Sequence, residues 1–209
     1  MRCNHCGQCC KDQCTQINVT LGDIYRISKF LGIPAVELLK DKIGINPFAD
    51  SDIIHYDLDL GLNLPCKFRV DNKCSIYSAR PLNCRLFPYW ILVEAPSQKI
   101  KEILDEHKCS YDFLRKKEYA EYKEAVADIL LQENKIFEIK KKINASRLKG
   151  YEEIKEEDFR AKEEKKIMLI KERAREKIDI GQMQKLIEEN KELFWRNKEK
   201  LDEAEKILQ

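Results

Sequence analysis

The sequence predicts an α+β protein in two parts, a small loop-rich N-terminal module followed by a mostly helical C-terminal half. Three observations carry that expectation. All nine cysteines and all six prolines of the 209 residues lie within residues 1–110. Of the 99 residues from 111 to 209, 49 are charged. The same stretch carries apolar stripes at helical spacing. The predicted organisation is therefore a constrained module over 1–110 and a charged helical extension over 111–209.

Within the module, Thr20 precedes the periodic run Leu21, Ile24, Ile27 and Phe30/Leu31, with Asp23 three residues on. This capping-box pattern predicts a helix over about 21–31, ended by Gly32. Pro34 then opens a second short helix, Ala35 to Lys42. Residues 44–64 mix Pro, Asp, Asn and Gly and read as irregular or as short strands. Phe68–Val70 and Ser75–Tyr77 flank Asp71-Asn72-Lys73, which predicts a small hairpin. Leu86 to Val93 reads as one more strand.

In the second half, Tyr122, Val126, Ile129, Ile136 and Ile143 form one stripe, interrupted by Glu133 and Lys140, and Gly150 marks a turn. A sharper stripe runs Met183, Ile187, Asn190, Phe194, Asn197, Leu201, Ala204, Leu208. It has the form of a heptad seam with asparagine at two positions. Two packings suit it: a helical hairpin folded on itself or on the module, and an intermolecular coiled coil.

The net charge of +2 gives none of the basic excess of a nucleic-acid binder. The longest apolar run, Trp90 to Val93, falls far short of the roughly 20 residues of a membrane span. The opening residues Met1 to Cys6 lack the apolar core of a signal peptide. The expectation is a soluble cytoplasmic protein with no membrane or nucleic-acid partner, and with a protein partner for the helical half.

In such a protein nine cysteines argue for metal or redox chemistry before disulfides. Cys3, Cys6, Cys9 and Cys10 form a tight run around Gly7, and Cys14 follows it. Cys66, Cys74 and Cys84 form a looser second group, and Cys109 stands alone. Thiolates three apart can curl around one ion. The vicinal Cys9–Cys10 pair is strained as a disulfide but can serve as ligands. All nine are candidate metal ligands, and His5 and His107 lie beside cysteines. Zinc takes four such ligands. An iron–sulfur cluster also takes four, often three closely spaced and one remote, and that matches the first run better. Gly7, Gly22, Gly32, Gly44 and Gly61 build no dinucleotide-binding loop, and three histidines give no legible catalytic set.

Several blocks follow in order: Cys3-x2-Cys6-Gly7-x-Cys9-Cys10, Val19-Thr20-x2-Asp23-Ile24, Pro65-Cys66-Lys67-Phe68, and Cys74-Ser75-Ile76-Tyr77-x2-Arg80-Pro81-x2-Cys84-Arg85-x-Phe87-Pro88. This series resembles the cysteine-cluster family of zinc- or iron-chelating domains, also called YkgJ-type, over about residues 3–90. The resemblance implies Cys3, Cys6, Cys9, Cys10, Cys66, Cys74 and Cys84 as ligands, with Cys14 and Cys109 covered less well. Lys67 stands where many members have proline. The implied cofactor is an iron–sulfur cluster, 4Fe–4S first, with zinc as the alternative. The implied role is a redox or electron-transfer protein. The alternatives are a zinc-stabilised binding module and, since flagellin lysine methylases carry a similar cluster, a metal-dependent methyltransferase-like enzyme. Arg80 and Arg85 suit two roles, offsetting thiolate charge or bridging a nearby acid such as Asp12 or Asp23. Tyr77 and Phe87 read as packing.

Overall fold

Helix α1 (Leu21–Leu31) begins and ends where the sequence signals place it. The computed structural model describes residues 10–11, 16–50, 55–89, 96–107, 113–136 and 180–209. At the N-cap of α1, Thr20 Oγ1 accepts the Asp23 N–H at 2.9 Å, and Asp23 Oδ2 accepts the Thr20 N–H at 3.0 Å. Such a box satisfies two otherwise orphaned donors, each worth about 1 kcal/mol. Gly32 closes the helix at φ 67°, a left-handed position that a Cβ would strain. Helix α2 (Ala35–Asp41) follows Pro34.

Of residues 44–64, the described ones up to Asn63 form strands, one of the two alternatives read from their composition. Strands β2 (Gly44–Asp50) and β3 (His55–Asn63) pair antiparallel in register from Gly44↔Gly61 to Asp50↔His55. Strand β1 (Gln16–Asn18) joins the other side of β3. The order β1-β3-β2 leaves β2 at an edge, where Pro47 removes no needed donor. A small hairpin forms here from β4 (Arg69–Val70) and β5 (Lys73–Cys74), its second strand earlier than the predicted Ser75–Tyr77, where Tyr77 already opens a 3-10 turn. Its turn holds Asp71 and Asn72 at φ 47° and 62°, the pair of positive values that suits the twist of a tight hairpin.

The stretch expected to hold a strand from Leu86 starts instead as the end of a helix, α3 (Leu82–Leu86), with Pro81 at its N-cap. Trp90 to Val93 lie outside the described residues. Helix α4 is Ser97–His107 and α5 is Lys116–Ile136. Helices α6 (Ile180–Glu189) and α7 (Lys191–Ile207) close the chain. The positions Gly150, Ile143 and Lys140 lie outside the described residues. No described helix is long and apolar enough to cross a membrane.

Helices α5 and α7 run antiparallel, because Arg115 just ahead of α5 donates to the carbonyls of Ile207 and Leu208 at 2.7 and 3.0 Å. Both helices pack on the module. One apolar core joins Leu21, Ile24 and Ile27 of α1, Leu38 of α2 and Leu60 and Leu62 of β3 to Met183, Ile187 and Phe194. A second joins Leu82, Leu86 and Tyr89 to Tyr119, Tyr122, Val126 and Ile129 of α5 and Leu201 and Ala204 of α7. Each large side chain so buried contributes about 1.5–3 kcal/mol. The heptad-like stripe from Met183 is therefore covered within this chain.

The residues that break the two stripes meet at the junction of these cores. Glu133 and Asn197 are fully buried, as are Thr20, Asp23 and Arg26 of the first helix. Arg26 donates to Glu133 at 2.6 and 2.9 Å and to Asp23 Oδ1 at 2.6 Å. Thr20 Oγ1 donates to Glu133 Oε2, and Asn197 Nδ2 donates to Glu133 Oε1 at 3.1 Å. Asp23 Oδ1 also accepts the Leu82 N–H at 3.0 Å, which ties α3 to α1. Burial raises the Asp23 carboxyl, which Arg26 opposes and Glu133 reinforces. Burial alone would lower Arg26, but Asp23 and Glu133 hold it above its ordinary value. An unmatched charge at such a depth is costly, so the set stands or falls together.

Glu133→Ala leaves Arg26 with one buried partner fewer and is expected to cost about 3–5 kcal/mol in denaturant unfolding. A loss below about 1 kcal/mol would contradict the clamp. A Cβ at Gly22 would overlap the Glu133 carboxylate. Gly22→Ala should therefore destabilise the wild type, and much less so the Glu133→Ala background, which a double-mutant cycle reads directly. Because the folded carboxyl of Asp23 is raised, its stabilising share is complete below the ordinary aspartate range. That share is lost as pH rises through the folded value. The stability difference between wild type and Asp23→Asn should accordingly shrink with rising pH; a difference that grows rejects the assignment.

Candidate metal centre

Four of the nine candidate ligands, Cys10, Cys66, Cys74 and Cys84, fall on described residues. Cys3, Cys6, Cys9, Cys14 and Cys109 lie outside them, as do His5 and the side chain of His107. None of the four described cysteines is in a disulfide.

The first run and the second group meet at one point. The Cys66 N–H donates to the Cys10 carbonyl at 3.1 Å. This bond brings the end of the Cys3–Cys10 run against the residue that follows Leu64-Pro65. Both side chains are buried in the first core, which also includes Phe68 and Ile76. A hydrogen bond from the Cys10 thiol brings the Cys66 thiol down to about 7; burial pushes the other way, and the Phe68 N–H assists. A thiol in that range is half ionised near neutrality, the form that binds metal.

Cys74 ends strand β5 opposite Arg69 and packs at the margin of the same core. The hairpin is held to Cys66 by the Arg69 N–H, which donates to the Cys66 carbonyl at 3.0 Å. Cys84 sits on α3, whose Leu82 and Leu86 belong to the second core. The structure thus gathers Cys10, Cys66 and Cys74 around one apolar cluster and places Cys84 on an element of the other. Among the described residues, no three of His, Cys, Asp and Glu converge as a ligand set. The donors present suit a soft cation: two buried sulfurs, that of Cys66 readily ionised.

Arg80 and Arg85 brace the turn just ahead of α3, the helix that carries Cys84. Arg85 Nε donates to the Arg80 carbonyl at 3.1 Å and its Nη2 to the Ser78 carbonyl at 2.6 Å. Arg80 Nη1 donates to the Tyr77 carbonyl at 3.0 Å, with its guanidinium 4.0 Å from the Tyr77 ring centre. Both arginines bridge Glu205 near the end of α7, Arg80 at 3.2 Å. Of the two roles that suit them, the bridge to an acid is the one observed, and the acid is Glu205. Around them burial raises the phenols of Tyr89 and Tyr122, so both stay protonated.

The family model for "CxxCxxCC: Putative zinc- or iron-chelating domain" matches residues 2–125. The chain belongs to this family. The match extends past the second core's Tyr119 and Tyr122, into the first turns of α5. No solved structure matches the chain.

Sequence reasoning did not find the supporting residues Glu133, Asn197 and Glu205. The signal for the first two was present as polar breaks in apolar stripes. Glu205 carries no such mark, since it is one acid among many in the charged half.

The three-way grip of Arg85 needs a planar fork of donors, which a lysine cannot reproduce. Arg85→Lys is expected to cost about 1–3 kcal/mol in thermal or denaturant unfolding, through unsatisfied carbonyls of Ser78 and Arg80. An unchanged midpoint would show that the brace contributes nothing.

Proposed function

We propose that the chain carries a metal centre ligated by cysteines of the Cys3–Cys10 run together with Cys66, and that the bound group is an iron–sulfur cluster serving electron transfer or a redox-linked reaction. The observation that carries this reading is the contact between Cys10 and Cys66. It supplies the scheme of closely spaced cysteines with one remote partner in which such clusters are commonly held. The apolar surroundings of the pair favour a closed site with restricted solvent, a setting that tunes a cluster's potential. The helical half, whose stripes are spent on the module, serves as its brace.

Zinc is the second reading, favoured by the same buried sulfur pair, since a closed site of four thiolates is the usual structural zinc site. In that case the metal would supply folding free energy, and the module would act as a binding domain.

Anaerobic purification with metal and sulfide analysis separates the two. The cluster predicts iron and sulfide together with broad visible absorption; a colourless protein with stoichiometric zinc replaces the first reading by the second. Cys10→Ser and Cys66→Ser should each cut metal loading at least tenfold, and Cys109→Ser should cut it less. Full loading in Cys66→Ser removes that residue from the ligand set.

A further inference from the structure

We propose that Cys10 and Cys66 are also a reversible cross-linking site: with the centre empty, a peroxide joins them in an intrachain disulfide that blocks metal binding until a thiol reductant reopens it. The blocking of metal rests on the function proposed above; the cross-link stands on the geometry alone.

Three features of the pair support it. The backbone bond from Cys66 to Cys10 is 3.1 Å long. A direct backbone bond brings the two residues' main chains into contact, the kind of close approach that a disulfide needs. Neither residue is in a disulfide in the structure, and both side chains are buried in the same apolar core. That core includes residues of α1 and β3, Phe68 and Ile76. Such packing keeps the pair in one place without metal.

The competing partner in sequence, Cys9, is disfavoured because a ring closed between neighbouring residues is strained. The chemistry balances with the peroxide as oxidant. One thiol attacks the peroxide, the O–O bond breaks, a sulfenic acid forms and one water leaves. The second sulfur then displaces the hydroxyl of the sulfenic acid, the S–S bond forms and a second water leaves. Two electrons pass from the sulfurs to the peroxide. A bound metal ion occupies the same sulfur lone pairs, so ligation and cross-linking exclude one another.

The test treats the full chain with hydrogen peroxide, metal-loaded and metal-stripped. Remaining thiols are then alkylated, the protein is digested without reduction, and linked peptides are fragmented to locate the bridge. The stripped protein should yield a Cys10–Cys66 link at least tenfold above the loaded protein, and dithiothreitol should restore metal uptake. Cys10→Ser should abolish the link and leave Cys66 open to alkylation. Cys66 bridged to another cysteine, or both thiols still alkylated after peroxide, overturns the proposal. If stripping removes the circular dichroism of the fold, the loaded chain is taken through excess peroxide instead. Metal release in step with the Cys10–Cys66 link then supports the proposal, and release without that link overturns it. A chain that takes up neither iron nor zinc yet still forms the link defeats the metal reading and leaves the cross-link standing.

Discussion

One guanidinium organises this molecule. Arg26 is buried with two carboxylates, Asp23 from its own helix and Glu133 from α5. A charge at that depth tolerates no loss of its partners. The consequence is that α1, α5 and α7 must arrive together, since Asn197 of α7 completes the shell of Glu133. The apolar cores on either side supply most of the free energy, but they are tolerant of small shifts. The charged set between them is not, because its hydrogen bonds are directional. It fixes which face of each long helix meets the module. Through the bond from Leu82 to Asp23 it also fixes where the helix bearing Cys84 begins.

The same arrangement explains why a composition-based division of the chain and its packing look different. The charge-rich half reads as a solvated arm, and its exposed faces are solvated. Its buried stripes nevertheless complete both cores of the module. Arg115 at the start of α5 and Glu205 near the end of α7 add polar ties at the far end, to the α7 carbonyls and to Arg80 and Arg85. The helical half is thus bound to the metal-chelating part by core, clamp and latch in turn.

What was legible in the sequence was local. The Thr20–Asp23 box, the stop at Gly32, the turn at Asp71-Asn72 and the α+β class all depend on neighbours a few residues apart, which a single sequence displays. The paired strands β2 and β3 read only as possible short strands because of Pro47 and scattered Asp and Asn, residues that an edge strand tolerates. The site was legible in its residue types and not in its assembly. Cysteine spacing marks candidate ligands, but it cannot tell that Cys66 returns to Cys10 across more than fifty residues. Nor can periodicity name the partner of a polar break: Glu133 meets Arg26 at a separation of 107 residues, and Glu205 meets Arg85 at 120.

Those long separations bear on how the chain is made. Synthesis delivers Asp23 and Arg26 early, and their solvated charges cannot be withdrawn from water until Glu133 has left the ribosome. The shell around Glu133 closes only with Asn197, and the latch on Arg80 and Arg85 only with Glu205, four residues from the last. Contacts of such range are slow to form, because a long loop must close before they are rewarded. The described cysteines therefore come under the fold's protection only once partners more than a hundred residues away in the chain have joined it.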